Sequence, residues 1–461
     1  MVEPDVDLVV AGAGGGLVGA LRAARQGLEV LLVEASEHYR QGNNTSMSTA
    51  MIPGTGTRWQ REQGVEDSPE TFVGDVAAKT KGTGDLALAR ALAEASPRML
   101  EWLADDLGVP LSLVTDFGYP GHSEYRCHTV PDRHGSTLLG HLVRAAAAEP
   151  RIHQLVPARV SGVELDDSGR AAIVTVTRPD GELEQVSAGA VLLATNGFGA
   201  DRTLVARHLP EIADAVYHGS EASRGDALRI GGELGAATAF LDAYQGHAAL
   251  SERGATLVGW ATVMHGAVLV DLDGVRFGDE TVGYSEYAAA LASRRGASGW
   301  LVYDERVHEA CLPFKDYRQS VEVGSLVRGA DVAELASRTG LPEAALAATL
   351  AAAGAAASGR VPDPWGRQHF EAPLDPPYVA VRVVPALFHT QGGLVVDGDA
   401  RVLRADGTPI DGLYASGGAA AGISGHGASG YLAGNGLLTA LGLAFLAAEH
   451  VAAQRPAEIV S

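Results

Sequence analysis

Four glycines and one glutamate near the start of the chain have the types and spacing that hold a nucleotide. Gly12, Gly14, Gly15 and Gly16 follow an apolar run, and Glu34 comes about 20 residues later. Glycines let the backbone approach a pyrophosphate, and an acidic side chain at this distance accepts hydrogen bonds from a ribose. The pattern predicts a dinucleotide site.

A strand, a helix and a second strand must position these residues. The apolar run at 7–11 predicts a buried parallel strand, residues 17–26 an Ala/Leu-rich helix, and residues 30–33 a second strand that ends at the glutamate. Together they form the unit in which a helix N-terminus faces the phosphates. The exact turn stays open, since the glycines within 14–19 also satisfy the full G-x-G-x-x-G spacing.

Composition narrows the class of protein. The 461 residues carry a formal charge of −21, which disfavours nucleic acid and anionic lipid as partners. The two cysteines, Cys127 and Cys311, stand far apart and in neither a metal-binding nor a haem-attachment motif, so no metal is expected. No unbroken apolar run approaches the roughly 20 residues of a membrane-spanning helix, because glycines interrupt the most hydrophobic stretches, and no export signal is visible. We therefore expect a cytoplasmic protein acting on small molecules.

Six short segments further along the chain combine glycines with polar residues. They are residues 41–48 (QGNNTSMS), 194–197 (ATNG), 225–226 (GD), 274–277 (GVRF), 389–393 (HTQGG) and 412–417 (GLYASG). Their sequences and order resemble those of the fumarate reductase and ketosteroid dehydrogenase superfamily of flavoproteins. In that superfamily the first segment corresponds to G-G-N-T-x-x-S, which runs beside the flavin. The resemblance covers nearly the whole chain and implies FAD rather than a nicotinamide cofactor.

The resemblance implies an α/β fold, a Rossmann-type FAD-binding domain with an inserted α+β capping domain. We expect the FAD-binding domain over 1–236, the capping domain over 237–388 and the return of the FAD-binding domain over 389–461. Alternating apolar residues and two turn sequences independently predict a β-meander at 158–186. An Ala/Leu/Gly-rich helix is predicted over 431–448, with its N-terminal N–H groups facing the flavin.

The nucleotide motif and the resemblance together predict which residues bind the cofactor. These are Gly12, Gly14, Gly15, Gly16, Glu34, Ala35, Asn43, Asn44, Thr45, Ser48, Ala158, Ala194, Thr195, Asn196, Gly197, Asp226, Gly417, Asn435, Leu437 and Leu438. The covalent flavin histidine of succinate dehydrogenases would fall in residues 43–45, which hold no histidine here. FAD is therefore expected to be non-covalent, with the nearby His38 as the one open exception.

Two tyrosines replace arginines that fumarate reductases use. The proton-donating arginine corresponds to Tyr284, and an arginine that clamps the substrate corresponds to Tyr431. A dicarboxylate needs those charges, because a carboxylate desolvated without a cation is costly. The run around Tyr431 instead resembles the G-A-G-Y segment of flavin-dependent 3-ketosteroid Δ4-dehydrogenases. The resemblance implies that Tyr431 binds a ketone oxygen and Tyr284 donates or accepts a proton, forming or reducing an enone.

Four more residues are candidates for the catalytic site. His389 corresponds to a substrate hydrogen-bond partner between cap and flavin domain, and His247 to the family's first cap histidine. Tyr125 and Arg126 belong to the polar, aromatic loop at 119–128, which could overhang the substrate. For each of these residues, as for the two tyrosines, a purely structural role is the alternative.

Two other functions stay open at this point. The chain could reduce an enoate, with Arg126 or another arginine restoring the missing positive charge. It could also be a non-catalytic flavin-binding redox protein, which would have no room for a ligand beside the flavin. The substrate expected first is a ketone or enone, and the electron acceptor or donor is not identified by the sequence.

Overall fold

A computed structural model describes residues 4–455, and the elements of the N-terminal half of the chain come first. Its strands are β1 (Val6–Ala11), β2 (Val30–Val33), β3 (Ile52–Pro53), β4 (Ser112–Leu113), β5 (Cys127–Thr129), β6 (Ile152–Leu155), β7 (Arg159–Leu165), β8 (Ala171–Thr177), β9 (Leu183–Leu193) and β10 (Val216–Tyr217). Its helices are α1 (Gly16–Arg25), α2 (Tyr39–Gly42), α3 (Arg58–Glu62), α4 (Pro69–Lys79), α5 (Leu86–Asp105), α6 (Gly135–Ala148), α7 (Arg202–His208) and α8 (Asp226–Glu233).

The middle and end of the chain supply the remaining elements. The strands are β11 (Thr238–Ala239), β12 (Tyr244–Ser251), β13 (Val268–Asp271), β14 (Gly299–Asp304), β15 (Leu326–Gly329), β16 (Tyr378–Thr390), β17 (Gly393–Leu394), β18 (Arg401–Leu403) and β19 (Pro409–Ala415). The helices are α9 (Ala261–Met264), α10 (Tyr284–Ala292), α11 (Glu305–Cys311), α12 (Lys315–Glu322), α13 (Val332–Thr339), α14 (Glu343–Ala357) and α15 (Asn435–Ala453).

An eight-stranded sheet forms the nucleotide-binding layer. Its order is β18-β19-β9-β1-β2-β6, with β1 parallel to both β2 and β9. The predicted meander is β7-β8-β9, and its last strand continues to Leu193 inside the parallel sheet. The α/β fold class is therefore confirmed, and the carboxyl ends of β1 and β2 bring the glycine turn and Glu34 together.

A second, six-stranded sheet carries the substrate-facing elements. The long strand β16 pairs with β10, β12, β14 and β15. β10 lies before the predicted insertion at 237–388, and β16 ends at Thr390, just past its predicted end. Because β12 and β16 are antiparallel neighbours, this pair places side chains from two distant parts of the sequence beside the pocket.

The helix α15 runs through the core of the nucleotide-binding layer. It is long and apolar enough to cross a membrane, but it packs against α1 and α5, and its leucines belong to the main hydrophobic core. Gly434 caps its start with φ +85°, so residues 431–433 of the predicted helix lie before it. This start leaves the first N–H groups of the helix beside the pocket.

Candidate active site

One pocket lies between the two sheets, and we divide it into a cofactor half and a substrate half. The cofactor half is lined by residues 11–15, 33–35, 43–45, 47–49, 158–160, 194–196 and 416–418, together with Asp226 and Leu437. The substrate half is lined by Met51, Tyr119, His247, Leu257, Trp260, Tyr284, Phe314, Phe388, His389 and Tyr431.

The glycine turn brings backbone close to the cofactor half. Gly12 has φ +109°, and a Cβ there would clash with the Ala194 carbonyl oxygen and lie 2.9 Å from its carbonyl carbon. Gly15 is equally restricted, since a Cβ would lie 2.7 Å from the Ala440 carbonyl oxygen on α15. Side chains at these positions would fill the space between the strand ends and α15.

Glu34 is held by backbone donors at the end of β2. The N–H of Ala13 donates to its Oε2 at 2.7 Å, and the N–H of Ser36 donates to its Oε1 at 2.8 Å. Burial raises the pKa of Glu34, while these N–H groups oppose that shift. The carboxylate is thus fixed at the rim of the cofactor half, in reach of a bound ribose.

Three buried polar atoms of the cofactor half have no hydrogen-bond partner in the described part of the chain. They are Asn43 Nδ2, Thr195 Oγ1 and Ser416 Oγ. Such atoms are costly unless they are paired, so their position indicates a polar ligand. Together with the glycine turn, the residues present fit the phosphates, ribose and ring edge of FAD.

The other predicted cofactor residues divide into two groups. Ala35, Asn44, Thr45, Ser48, Ala158, Ala194, Asn196, Asp226, Gly417 and Leu437 line the pocket. Gly16, Gly197, Asn435 and Leu438 do not line it. Asn435 nevertheless is fully buried at the first residue of α15, with neither side-chain atom paired within residues 4–455. His38, the exception considered for covalent attachment, is exposed and outside the pocket lining.

Asn44 ties the cofactor half to the second sheet. Its Nδ2 donates to the Phe388 carbonyl oxygen at 3.0 Å, and its Oδ1 accepts from the Ser220 N–H at 2.7 Å. Both amide atoms are used within the protein. This residue therefore positions the two halves relative to each other, although it was predicted only as a flavin contact.

Tyr284 and Tyr431 both face the substrate half. Their rings lie edge to face with centroids 5.8 Å apart. The N–H of Gly436, in the first turn of α15, donates to the Tyr431 hydroxyl oxygen at 3.3 Å. Burial raises the pKa of both phenols, so each carries its proton at neutral pH. The Tyr431 proton is therefore left for a ligand oxygen.

His389 and His247 enter the substrate half from the β12–β16 pair. Gln391 Nε2 donates to His389 Nδ1 at 2.8 Å, in an amide orientation supported by Ser424, whose hydroxyl donates to Gln391 Oε1 at 3.1 Å. The N–H of Ala249 donates to His247 Nδ1 at 3.0 Å. His389 Nδ1 also lies 3.4 Å from the Thr390 carbonyl oxygen, but its shorter contact with Gln391 makes it an acceptor, so that in both imidazoles Nε2 carries the hydrogen.

Burial keeps both imidazoles neutral. It lowers the pKa of His389 to about 4 and that of His247 to about 3. His247 is stacked between two rings, with centroids 4.8 Å from Tyr284 and 5.3 Å from Phe388. His389 is therefore a neutral N–H donor, and His247 also orients the Tyr284 ring.

Tyr125 and Arg126 were wrongly predicted to reach the substrate. The Tyr125 side chain is 41% exposed and lies outside the pocket. Arg126 is buried, with Nε and Nη2 donating to Asp67 at 3.1 and 3.0 Å and Nη1 lying 2.8 Å from Asp75. Its charge is neutralised within the scaffold, so it cannot clamp a substrate carboxylate.

The loop at 119–128 nevertheless contributes one residue that the sequence prediction missed. Tyr119 lines the substrate half, with its ring packed edge to face on Phe117 at 4.7 Å. Burial raises the pKa of its phenol. A third phenol therefore joins the other two, and its position in the same polar, aromatic loop was the available signal.

The chain is similar to known proteins over nearly its whole length. A family model described as an FAD binding domain matches residues 7–437. A probable fumarate reductase of Shewanella frigidimarina is 29% identical over 91% of this chain and 70% of its own length. A 4-oxocyclohexanecarboxylate 2-dehydrogenase of Sinomonas cyclohexanicum is 28% identical over 93% and 92%.

Solved structures of the same fold extend the comparison. The open conformation of a flavocytochrome c3 fumarate reductase has a TM-score of 0.80 at 27% identity, covering 98% of this chain and 79% of that chain. A 3-ketosteroid-Δ4-(5α)-dehydrogenase of Rhodococcus jostii has a TM-score of 0.75 at 24% identity, covering 98% of both chains. The fold and the cofactor class expected from the sequence are confirmed.

Proposed function

The chain belongs to the family of FAD-binding domains, and on that premise we propose that it forms or reduces the C=C bond α,β to a ketone. It is an FAD-dependent oxidoreductase acting on CH–CH groups. When bound, FAD supplies the acceptor or donor of a hydride. The protein's own residues supply binding, orientation and proton transfer.

The observation that carries the proposal is the pair of protonated phenols beside neutral imidazoles. Tyr431 donates its proton to the ketone oxygen, and the Gly436 N–H at the N-terminus of α15 supports the phenol oxygen. This polarisation acidifies the adjacent C–H. Tyr284 then moves the proton to or from that carbon, while the Nε2–H of His389 holds the substrate.

An apolar wall supports an uncharged substrate around the reacting carbons. Met51, Leu257, Trp260, Phe314 and Phe388 line the substrate half. Among the pocket residues that the structure describes, the only Arg or Lys is Arg159, which lies in the cofactor half and is paired with Asp226. A carboxylate on the substrate would therefore lose its water without gaining a cation, which is costly. We propose a neutral cyclic ketone.

The test is anaerobic mixing of the FAD-loaded protein with saturated cyclic ketones. We expect flavin bleaching with at least one neutral ketone, and Tyr284→Phe should abolish bleaching while FAD stays bound. Tyr287→Phe is the matched control, since Tyr287 is buried on the same helix but lies outside the pocket. Bleaching by Tyr284→Phe at the wild-type rate would overturn its proton-transfer role.

Reduction of an enoate is the second candidate function. The 29% identity with the probable fumarate reductase favours it, whereas the paired Arg126 removes the cation on which it would depend. Photoreduced enzyme should be reoxidised by enones and not by enoates such as fumarate. The opposite preference would establish the enoate reaction and exclude the ketone.

Two accompanying proposals concern the cofactor linkage and the setting. We expect FAD to be non-covalent, so acid precipitation should leave the flavin in the supernatant. A flavin that stays with the precipitated protein would instead indicate a covalent bond to a residue such as His38. A cytoplasmic location and a separate electron acceptor or donor belong to the same proposal.

A further inference from the structure

Lys79, the last residue of α4, holds the start of α10, the helix that begins at Tyr284. Its Nζ donates to the Val282 carbonyl oxygen at 2.6 Å and to the Glu286 carboxylate. These two partners stand on either side of Tyr284 in the chain. The side chain of Lys79 is only 11% exposed, which makes this contact less screened than a surface ion pair.

Two glycines show how tightly other segments approach this lysine. A Cβ at Gly121 would lie 3.2 Å from Lys79 Cδ and 3.5 Å from Leu432 Cγ. A Cβ at Gly283, whose φ is +144°, would lie 3.2 Å from Lys79 Nζ and collide with Glu286. The positive φ of both glycines, +86° and +144°, disfavours other residues there, and a Cβ at either position would press on the lysine side chain.

The segments that meet here are the ones that carry the three phenols. Gly121 lies two residues after Tyr119, Leu432 directly follows Tyr431, and Gly283 directly precedes Tyr284. Lys79 belongs to α4 of the FAD-binding part, outside the pocket lining. It hydrogen-bonds the segment around Tyr284 and lies close to Gly121, which in turn passes close to Leu432.

The Glu286 carboxylate in turn depends on its ion pair with Lys79. Burial raises the pKa of Glu286, and the Lys79 charge opposes that shift. Glu286 Oε2 has no hydrogen-bond partner within residues 4–455, so Lys79 holds the carboxylate through the other oxygen. Loss of the ammonium would leave a largely buried carboxylate unpaired, which favours its protonation or a shift of the start of α10 that hydrates it.

We propose that Lys79 is a positioning residue that fixes the phenols of the substrate half relative to one another. This inference rests on the proposed function, because it assigns Lys79 to the geometry in which Tyr284 meets the substrate bound by Tyr431. The contact between Lys79 of α4 and the start of α10 lies outside the pocket lining.

The test compares Lys79→Met, Lys79→Arg and the control Lys81→Met in the FAD-loaded protein. Lys81 is exposed, two residues further on, and makes neither of these hydrogen bonds, although its charge also favours the Glu286 carboxylate. With a ketone that bleaches the wild type, Lys79→Met should lower the rate at saturating ketone by roughly 10- to 100-fold, because small misplacements of reacting groups are that costly. The ketone concentration at half-maximal rate should change much less, and Lys79→Arg should recover most of the rate.

Hydrogen exchange of the same variants separates this inference from the proposed function. In Lys79→Met, amides of residues 119–122 and 283–288 should exchange faster, with FAD content unchanged. If no ketone bleaches the wild type, the proposed function fails while exchange still tests the contact. Unchanged exchange, or faster exchange with an unchanged bleaching rate, would overturn the positioning role.

Discussion

The cofactor half and the substrate half of the pocket are built in different ways. The cofactor half rests on contiguous runs at the ends of neighbouring strands, such as residues 11–15 and 33–35, and on backbone geometry. The substrate half takes Tyr119, His247, Tyr284 and Tyr431 from four separate segments. The cofactor half therefore tolerates few backbone changes, whereas the substrate half depends on a few side-chain atoms.

This difference separates two kinds of failure. A change in the cofactor half should remove the flavin, because backbone and phosphates compete for the same space. A change in the substrate half should leave the flavin in place and slow the reaction, because these side chains act on the substrate and on one another. Flavin occupancy and bleaching rate can therefore be measured as independent quantities.

Gly12→Ala should have the largest effect. The new Cβ would collide with the Ala194 carbonyl at a residue with φ +109°, at a cost of at least about 3 kcal/mol. We expect purified protein without FAD, measured as the ratio of flavin to protein absorbance. Gly74→Ala is the control, since its Cβ meets nothing within 4 Å on α4. Full flavin occupancy in Gly12→Ala would show that the turn is not a binding element.

Tyr431→Phe should have the next largest effect and the opposite signature. It keeps the ring and removes the proton offered to the ketone, so FAD should stay bound while bleaching slows by roughly 10²- to 10³-fold. Tyr414→Phe loses a part-buried hydrogen bond of 2.8 Å to His450, outside the pocket lining, and should bleach normally. Equal rates in the two variants would contradict the role of Tyr431.

Much of the cofactor half could be predicted because its determinants are local. The strand at 30–33 matches β2, the helix at 17–26 lies within one residue of α1, and the meander at 158–186 contains β7 and β8. Each depends on alternation or turn residues within a few positions. The start of α15 was missed because Tyr431–Ala433 continues the same apolar composition, and only Gly434 with its positive φ ends the turn.

The substrate half could be predicted only in part, because its residues meet through tertiary contacts. Arg126 resembled a substrate clamp until its partners, Asp67 and Asp75, were placed against it from about 50 to 60 residues away in the chain. Tyr119, six residues after Leu113 of β4, reaches the pocket that Tyr125 does not. Local sequence marks a loop as polar and aromatic but does not say which residues turn inward.

The pH dependence of the reaction should also distinguish the substrate half from the cofactor half. Since burial raises the pKa of Tyr284 and Tyr431, the phenolate form is scarce at neutral pH and grows about tenfold per pH unit. Dehydrogenation, which needs a base, should accelerate by about that factor per unit from pH 6 to 9. Enone reduction, which needs the phenol, should be nearly constant there, as should flavin occupancy. A dehydrogenation rate independent of pH would point to another base.

The smallest effect concerns the scaffold outside both halves of the pocket. His128 on β5 is fully buried, and burial lowers its pKa to about 4, below the value of 6.5 expected when unfolded. The unfolded chain therefore binds the proton first as pH falls, and the stability that neutral His128 contributes above pH 6.5 is lost progressively below it. Between pH 6.5 and 5.5 this loss is about 1 kcal/mol of the free energy of unfolding.

His128→Gln cannot titrate, so denaturant titrations should show a shallower loss than in the exposed control His153→Gln, with bleaching rates at neutral pH preserved in both. An unchanged slope in His128→Gln would mean that other groups dominate the acid sensitivity, and a slowed reaction would mean that the substrate half extends to β5.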